Sequence, residues 1–208
     1  MHKTIRGKCV LLGSAACGKT SIVQTFCSDG REFPRNYCMS VTAELVVKSI
    51  IVPEANDNVV SRINIHWCQE LFIYTLPGKE VFADLLPKYV SQIFHIRKQK
   101  VDQINMLMAV FDLTDKSSFT SAQAILTKYS SSRECCTIPT VLVGNKTDLE
   151  ARRTVDFDIA NSFAQKLGVT YFEASAKEAT GIEAPFLHLV REYYNLYLKR
   201  IDHFQNLI

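Results

Sequence analysis

Residues 9–20 read Cys9-Val10-Leu11-Leu12-Gly13-Ser14-Ala15-Ala16-Cys17-Gly18-Lys19-Thr20, an apolar run followed by the pattern Gly-x-x-x-x-Gly-Lys-Thr. The order implied is strand, phosphate-binding loop, helix. Gly13 and Gly18 let successive backbone N–H groups, those of Ala16 and Cys17 among them, curl into a nest around the α- and β-phosphates of a nucleotide. The Lys19 ammonium reaches the β- and γ-phosphates, the Thr20 hydroxyl ligates Mg²⁺, and the helix continuing through Ser21 adds its dipole. Chance supplies this pattern in on the order of one chain in a hundred of this length, before strand and helix context is required.

Outward from that loop, strand and helix signals alternate, the pattern of a mostly parallel sheet covered on both faces. Strands are expected over 8–12, 44–52, 70–76, 104–113, 139–144 and 170–173, and helices over 19–26, 80–90, 118–129, 158–167 and 184–204. The run Ile104-Asn105-Met106-Leu107-Met108-Ala109-Val110-Phe111 is nearly all apolar, as a central parallel strand buried on both faces requires. In the last helix Phe186, Leu189, Val190, Tyr193, Tyr197 and Ile201 form one stripe that should face the sheet.

Composition is that of one core-forming domain over 1–208: 47% hydrophobic, 22% charged, with no linker, repeat or low-complexity tract. A net charge of +3 and a pI near 8.4 are too mild to imply nucleic acid or a membrane surface as partner. Seven scattered cysteines without a Cys-x-x-Cys pair fit free thiols in a reducing compartment, and the five histidines lack metal-ligand spacing. With neither a signal-peptide h-region nor a membrane-length apolar run, a soluble intracellular protein is expected.

A second motif, Asn145-Lys146-Thr147-Asp148, follows the apolar strand Val141-Leu142-Val143. Its Asp can accept two hydrogen bonds from the N1–H and exocyclic amine of guanine; adenine presents no such pair of donors. Asn145 is placed to tie this loop to the phosphate loop, and the Lys146 stem to cover the ring. A third segment, Glu173-Ala174-Ser175-Ala176-Lys177, again follows a strand, and the backbone N–H groups of Ser175, Ala176 and Lys177 are candidates for the guanine oxygen.

In this order the segments resemble the Ras superfamily of small GTPases, its Rab-like branch, over nearly the whole chain. The resemblance implies a P-loop small-GTPase fold, an α/β six-stranded sheet with about five helices on both faces, binding GTP or GDP with Mg²⁺. The stretches Ser28-Asp29-Gly30, Glu44-Leu45-Val46-Val47-Lys48, Glu70-Leu71-Phe72-Ile73, Gly78-Lys79-Glu80, residues 143–149 and Glu183-Ala184-Pro185-Phe186 look closer still to the Rab-like GTPases of intraflagellar transport. That likeness implies a subunit of the intraflagellar transport B complex, a heterodimer with a small β-sandwich subunit, and a place in cytoplasm and cilium.

Against the family pattern, Thr75 stands where an Asp holds the Mg²⁺ water and brings no negative charge. Lys79 stands where a Gln orients the attacking water, and it has donors only. Ala15 and Ala16 occupy places where flexible glycines are frequent, and the best-aligned metal ligand of the first switch is Ser40. Slow hydrolysis follows. A loss of about 3 kcal/mol of transition-state stabilisation slows turnover more than a hundredfold. Three roles stay open: a slow regulated switch, an adaptor that holds nucleotide constitutively without hydrolysing it, and a Rab-type vesicle-trafficking switch. The chain ends Gln205-Asn206-Leu207-Ile208 without a prenylatable cysteine, so no direct lipid anchor is expected. Residues 61–69 and 92–103 read as loop insertions, the first carrying Trp67 and the second the cluster His95, Arg97, Lys98 and Lys100.

Overall fold

A computed structural model describes residues 2–34, 36, 40, 42–51, 66–78, 104–130 and 138–205. Six strands form one sheet: β1 (His2–Leu12), β2 (Glu44–Ile51), β3 (His66–Thr75), β4 (Met106–Asp112), β5 (Thr140–Asn145) and β6 (Thr170–Ala174). Four α-helices and one 3-10 helix lie among the described residues: α1 (Lys19–Cys27), α2 (Lys116–Ser130), a 3-10 turn (Thr147–Arg152), α3 (Phe157–Lys166) and α4 (Glu183–Gln205). The strand order is β2-β3-β1-β4-β5-β6, with only β2 antiparallel to its neighbour. Because β1, β3, β4, β5 and β6 are parallel, the loops that leave them gather at one edge, where open α/β sheets bind ligands.

Period-2 alternation divides the core into two layers. Cys9, Leu11, Ile73, Met108, Val110 and Val143 face α1 and α4, meeting Ile22, Val23, Phe26, Phe186, Leu189 and Val190. Val10, Leu12, Leu107, Ala109, Phe111 and Leu142 face α2 and α3, meeting Phe119, Ala122, Leu126, Ala160 and Ala164. All seven residues of β4 are buried, which explains its unbroken apolar run. Phe26 of α1 stacks on Phe186 of α4, with ring centroids 3.9 Å apart, so the helix behind the phosphate loop is clamped to the longest helix among the described residues. Of the stripe read on α4, Phe186, Leu189 and Val190 are buried, while Tyr193, Tyr197 and Ile201 are half-buried. The Tyr193 hydroxyl donates to the carbonyl of Arg6 (3.2 Å). The start of α2 is fixed by Asp115, whose Oδ1 accepts the N–H (2.9 Å) and hydroxyl (2.7 Å) of Ser117.

The expected sheet is found, with two corrections. β1 begins at His2 rather than at residue 8, and β3 at His66 rather than at residue 70, because residues 2–7 pair with 66–71 in a parallel ladder. In this part Thr4 and Arg6 are exposed, Ile5 and Gly7 buried, so the apolar run that marks a fully covered strand is missing. Residues 66–69, read as part of a loop insertion, are therefore strand; Trp67 sits opposite Lys3 in the ladder. The helix ends differ from the reading by one or two residues. Val52, the helix over 80–90, residues 61–65 and the segment 92–103 with His95, Arg97, Lys98 and Lys100 lie outside the described residues, as does Lys79.

Candidate functional site

β1 ends at Leu12, and residues 13–18 turn the chain into α1. Gly18 takes a left-handed φ of 94° as the residue before α1, and a Cβ there would lie 2.1 Å from Asn145 Nδ2. Only glycine fits both the conformation and the space. No side chain caps the N-terminus of α1 and its first turn carries no acid, so its first N–H groups are left for an outside acceptor. Ala16 holds φ at 60°, a left-handed conformation that costs a non-glycine residue and is sustained by the surrounding loop. The loop is tied from the other side where Ala15 N–H donates to the carbonyl of Gly78 (2.9 Å); a Cβ on Gly78 would approach Ser14 and Ala15 backbone to 2.3 Å.

Lys19 is buried, and its ammonium donates to the carbonyls of Gly13 (3.0 Å) and Ser14 (2.8 Å), bridging the loop from below. Cys17 is fully buried beside it, its Sγ 3.9 Å from Lys19 Nζ. Burial pushes the Cys17 thiol up, against the lowering pull of the Lys19 charge.

Asn145, the last residue of β5, joins three loops. Its Nδ2 donates to the carbonyl of Cys17 (3.0 Å) and its Oδ1 accepts the N–H of Ala176 (3.2 Å). Thr25 of α1 adds a parallel tie, donating to the Ala176 carbonyl (3.1 Å). The Asp148 carboxylate is oriented by Ser175 Oγ, which donates to Oδ1 (2.7 Å), and by Lys177 Nζ, 3.7 Å from Oδ2. One hydrogen bond and one distant cation leave most of the acceptor capacity of this carboxylate for a paired donor edge such as that of guanine.

Two details depart from the sequence reading. Lys146 lies at the pocket wall with φ at 72°, but its ammonium is bound to Asp112 Oδ2 (2.5 Å) at the end of β4. Asp112 is itself held by the N–H (2.8 Å) and hydroxyl (2.7 Å) of Thr114 through Oδ1. The Ser175 N–H is donated to the Thr180 carbonyl (2.9 Å) and that of Ala176 to Asn145 Oδ1 (3.2 Å), so two of the three N–H groups assigned to the guanine oxygen are engaged within the protein.

These loops line a pocket of about 440 Å³. Lys19, Lys146 and Lys177 lie in its wall with one carboxylate, Asp148, a balance that suits a polyanion. Thr20 and Ser21 line the same wall. Phe33, an exposed aromatic outside the motifs, also lines it and was not singled out in the sequence; its only signal was an isolated ring in a polar stretch.

At one corner Thr20 Oγ1 and Ser40 Oγ stand 3.2 Å apart, and Ser40 Oγ donates to Glu44 Oε1 (2.9 Å). The sequence reading overlooked Glu44, since a single acidic residue opening a strand has no motif. Thr75 is buried, and its Oγ1 has no hydrogen-bond partner among the described residues. Among those residues no three His, Cys, Asp or Glu side chains gather as a metal cage. The hydroxyl oxygens of Thr20 and Ser40, with the Glu44 carboxylate behind Ser40, fit a hydrated Mg²⁺ that completes its octahedron with phosphate oxygens and water.

Sheet order, phosphate loop and Asn145–Asp148 corner define a P-loop nucleotide-binding domain. The model of the Ras family matches residues 8–195. The chain is 38% identical over 204 residues to the intraflagellar transport protein 27 homologue of Bos taurus, covering 98% of each, and 36% identical over 203 residues to that of Homo sapiens, again 98% of each. Ras-related protein Rab-2B of Dictyostelium discoideum is 31% identical over 182 residues, 86% of this chain and 76% of the relative. The chain therefore belongs to the Ras family and, within it, to the Rab-like group that bears the name intraflagellar transport protein 27. No helix among the described residues is long and apolar enough to cross a membrane.

Proposed function

We propose that the chain is a single guanine-nucleotide-binding domain that holds GDP or GTP with Mg²⁺ and acts as a subunit of the intraflagellar transport B complex. The observation that carries the nucleotide reading is the double hydrogen bond of Asn145, which binds phosphate loop and base loop into one frame beside Asp148. Thr20 and Ser40 are the residues that would hold the cation, which when bound neutralises phosphate charge. The names of the relatives, which match this chain over 98% of its length, support a place in intraflagellar transport and so at the cilium. Membership of the B complex, pairing with a small β-sandwich subunit and residence in the cytoplasm are finer parts of the same proposal.

Hydrolysis is proposed to be slow, because Thr75 offers a neutral hydroxyl where the family has a carboxylate and Lys79 has no acceptor for a water hydrogen. The test is nucleotide affinity of the purified chain with and without Mg²⁺, followed by single-turnover GTP cleavage. Guanine nucleotides should bind, adenine nucleotides should not, and Asp148→Asn should transfer preference to xanthine nucleotides, whose 2-oxo group accepts the hydrogen bond that an amide donates. Equal affinity for ATP and GTP would overturn the reading. Tight binding with no turnover would assign the chain to the adaptor role.

A further inference from the structure

The corner formed by Thr20 and Ser40 offers two neutral hydroxyls to a divalent cation, and the position that carries a carboxylate in the family is Thr75. That leaves a charge deficit. Thr75 ends β3 on the same face as Leu71 and Ile73, the face that packs against α1, and its buried Oγ1 has no hydrogen-bond partner among the described residues. Directly across the antiparallel ladder from Thr75 stands Glu44, the first residue of β2. Its Oε1 accepts the hydroxyl of Ser40 at 2.9 Å, and Ser40 Oγ is in turn 3.2 Å from Thr20 Oγ1. Among the described residues no cation pairs with Glu44.

We propose that Glu44 supplies, from the neighbouring strand, the negative charge that Thr75 lacks, so that Glu44 sets how strongly Mg²⁺ secures nucleotide in this chain. The inference rests on the nucleotide-binding reading above. Its chemistry is that of a carboxylate one hydrogen bond behind a metal ligand. By accepting the Ser40 hydrogen it turns the oxygen lone pairs toward Thr20, raises the basicity of that oxygen and adds a full negative charge to the corner. Glu44 is exposed, so solvent screens part of this charge, which makes it a positioning residue weaker than a direct carboxylate ligand.

The experiment is release of a fluorescent GDP from the full chain at stepped free Mg²⁺ and constant ionic strength, for the wild type, Glu44→Gln and Glu44→Gln combined with Thr75→Asp. Gln keeps an acceptor for Ser40 and removes only the charge, and the exposed site makes misfolding an unneeded explanation. The Mg²⁺ concentration for half-maximal retention should rise about 10- to 100-fold in Glu44→Gln, with release in chelator unchanged. Thr75→Asp should bring it back by restoring the carboxylate on β3. A midpoint within about twofold of the wild type, release from the wild type that ignores Mg²⁺, or a shift that Thr75→Asp fails to reverse would each overturn the assignment. If the wild type retains no GDP even in millimolar Mg²⁺, the nucleotide reading itself falls; retention with an unmoved midpoint sinks only the role of Glu44.

Discussion

Asn145 concentrates more of the site than any motif residue beside it, because both ends of one amide are spent on different loops. Asn145→Ala would leave the Cys17 carbonyl and the Ala176 N–H without this partner in a buried place, at about 1–3 kcal/mol for each unsatisfied group. A urea titration without ligand should show that loss, and guanine affinity should fall further, since Asp148 would no longer be registered against the phosphate loop. Thr25 keeps one tie to Ala176, so the fold should survive. Cys17 gives a second test. Its thiol pKa is raised by burial, and that of Cys9 is pushed up to about 12 by the same cause. Raised folded values mean that the native state keeps these protons as pH passes about 8.5, where the unfolded thiols release theirs, so this contribution to stability is present below that pH and is lost above it. Peptide mapping after iodoacetamide at pH 8 should find Cys17 and Cys9 unmodified in the native protein and modified in urea; the half-buried Cys27 should react sooner. At this scale the sequence was legible where chemistry fixes spacing: Gly18, Lys19, Thr20, Asn145 and Asp148 all line one pocket, and the Gly13 carbonyl accepts from Lys19 beside it. It was silent on Asp112, Glu44 and Phe33, whose parts come from register and loop path that no short pattern encodes.

Among the elements, α1 carries the greatest burden, since its N-terminus faces the pocket and its C-terminal half must hold it rigid. Phe26 is its anchor, stacked on the fully buried Phe186 of α4. Phe186→Ala should cost about 3–5 kcal/mol, the range for a large aromatic removed from a core. Denaturant unfolding measures it, and a loss below about 1 kcal/mol would mean that α1 is held chiefly by its loops. The base-reading side has its own brace: Arg153 donates to both carboxylate oxygens of Glu173, and Tyr171 Oη donates to Glu173 Oε1 (2.7 Å). Burial, followed by the hydrogen bond to Glu173, keeps the Tyr171 phenol protonated well above its ordinary range. The elements that could be read were those covered on both faces, β4 above all, and helices bounded by loops of motif sequence. The outer halves of β1 and β3 could not be read, because Thr4 and Arg6 are exposed and the Arg6–Glu70 pair (2.9 Å) looks like surface until its partner strand is known. Edge strand β2 is apolar on both faces, with Val46 and Ile50 turned inward and Leu45, Val47 and Ile51 exposed, so pattern alone could not say which face is buried.

For the whole molecule, the pocket is built by loops from four parallel strands, and none of those loops is held by itself. Residues 13–18, 76–78, 145–148 and 175–180 are linked to one another by backbone amides, Asn145 and Thr25. A ligand that satisfies several of these loops at once is bound by the folded state and by no fragment of it, so binding must raise global stability by mass action. At a free concentration of one hundred times the dissociation constant the gain is about 2.7 kcal/mol. For a chain of 208 residues that gain corresponds to a rise in Tm of about 5–11 °C. GDP with Mg²⁺ should produce it in a thermal melt, growing with the logarithm of nucleotide concentration. ADP at the same concentrations should not, because Asp148 has no donor pair to meet on adenine. The Asn145→Ala protein should melt lower at the outset and gain less from GDP, since the frame that lets one ligand brace several loops is the part it has lost. A full GDP-dependent rise in that variant would show that the loops are coupled by the ligand alone and that the double hydrogen bond of Asn145 is dispensable.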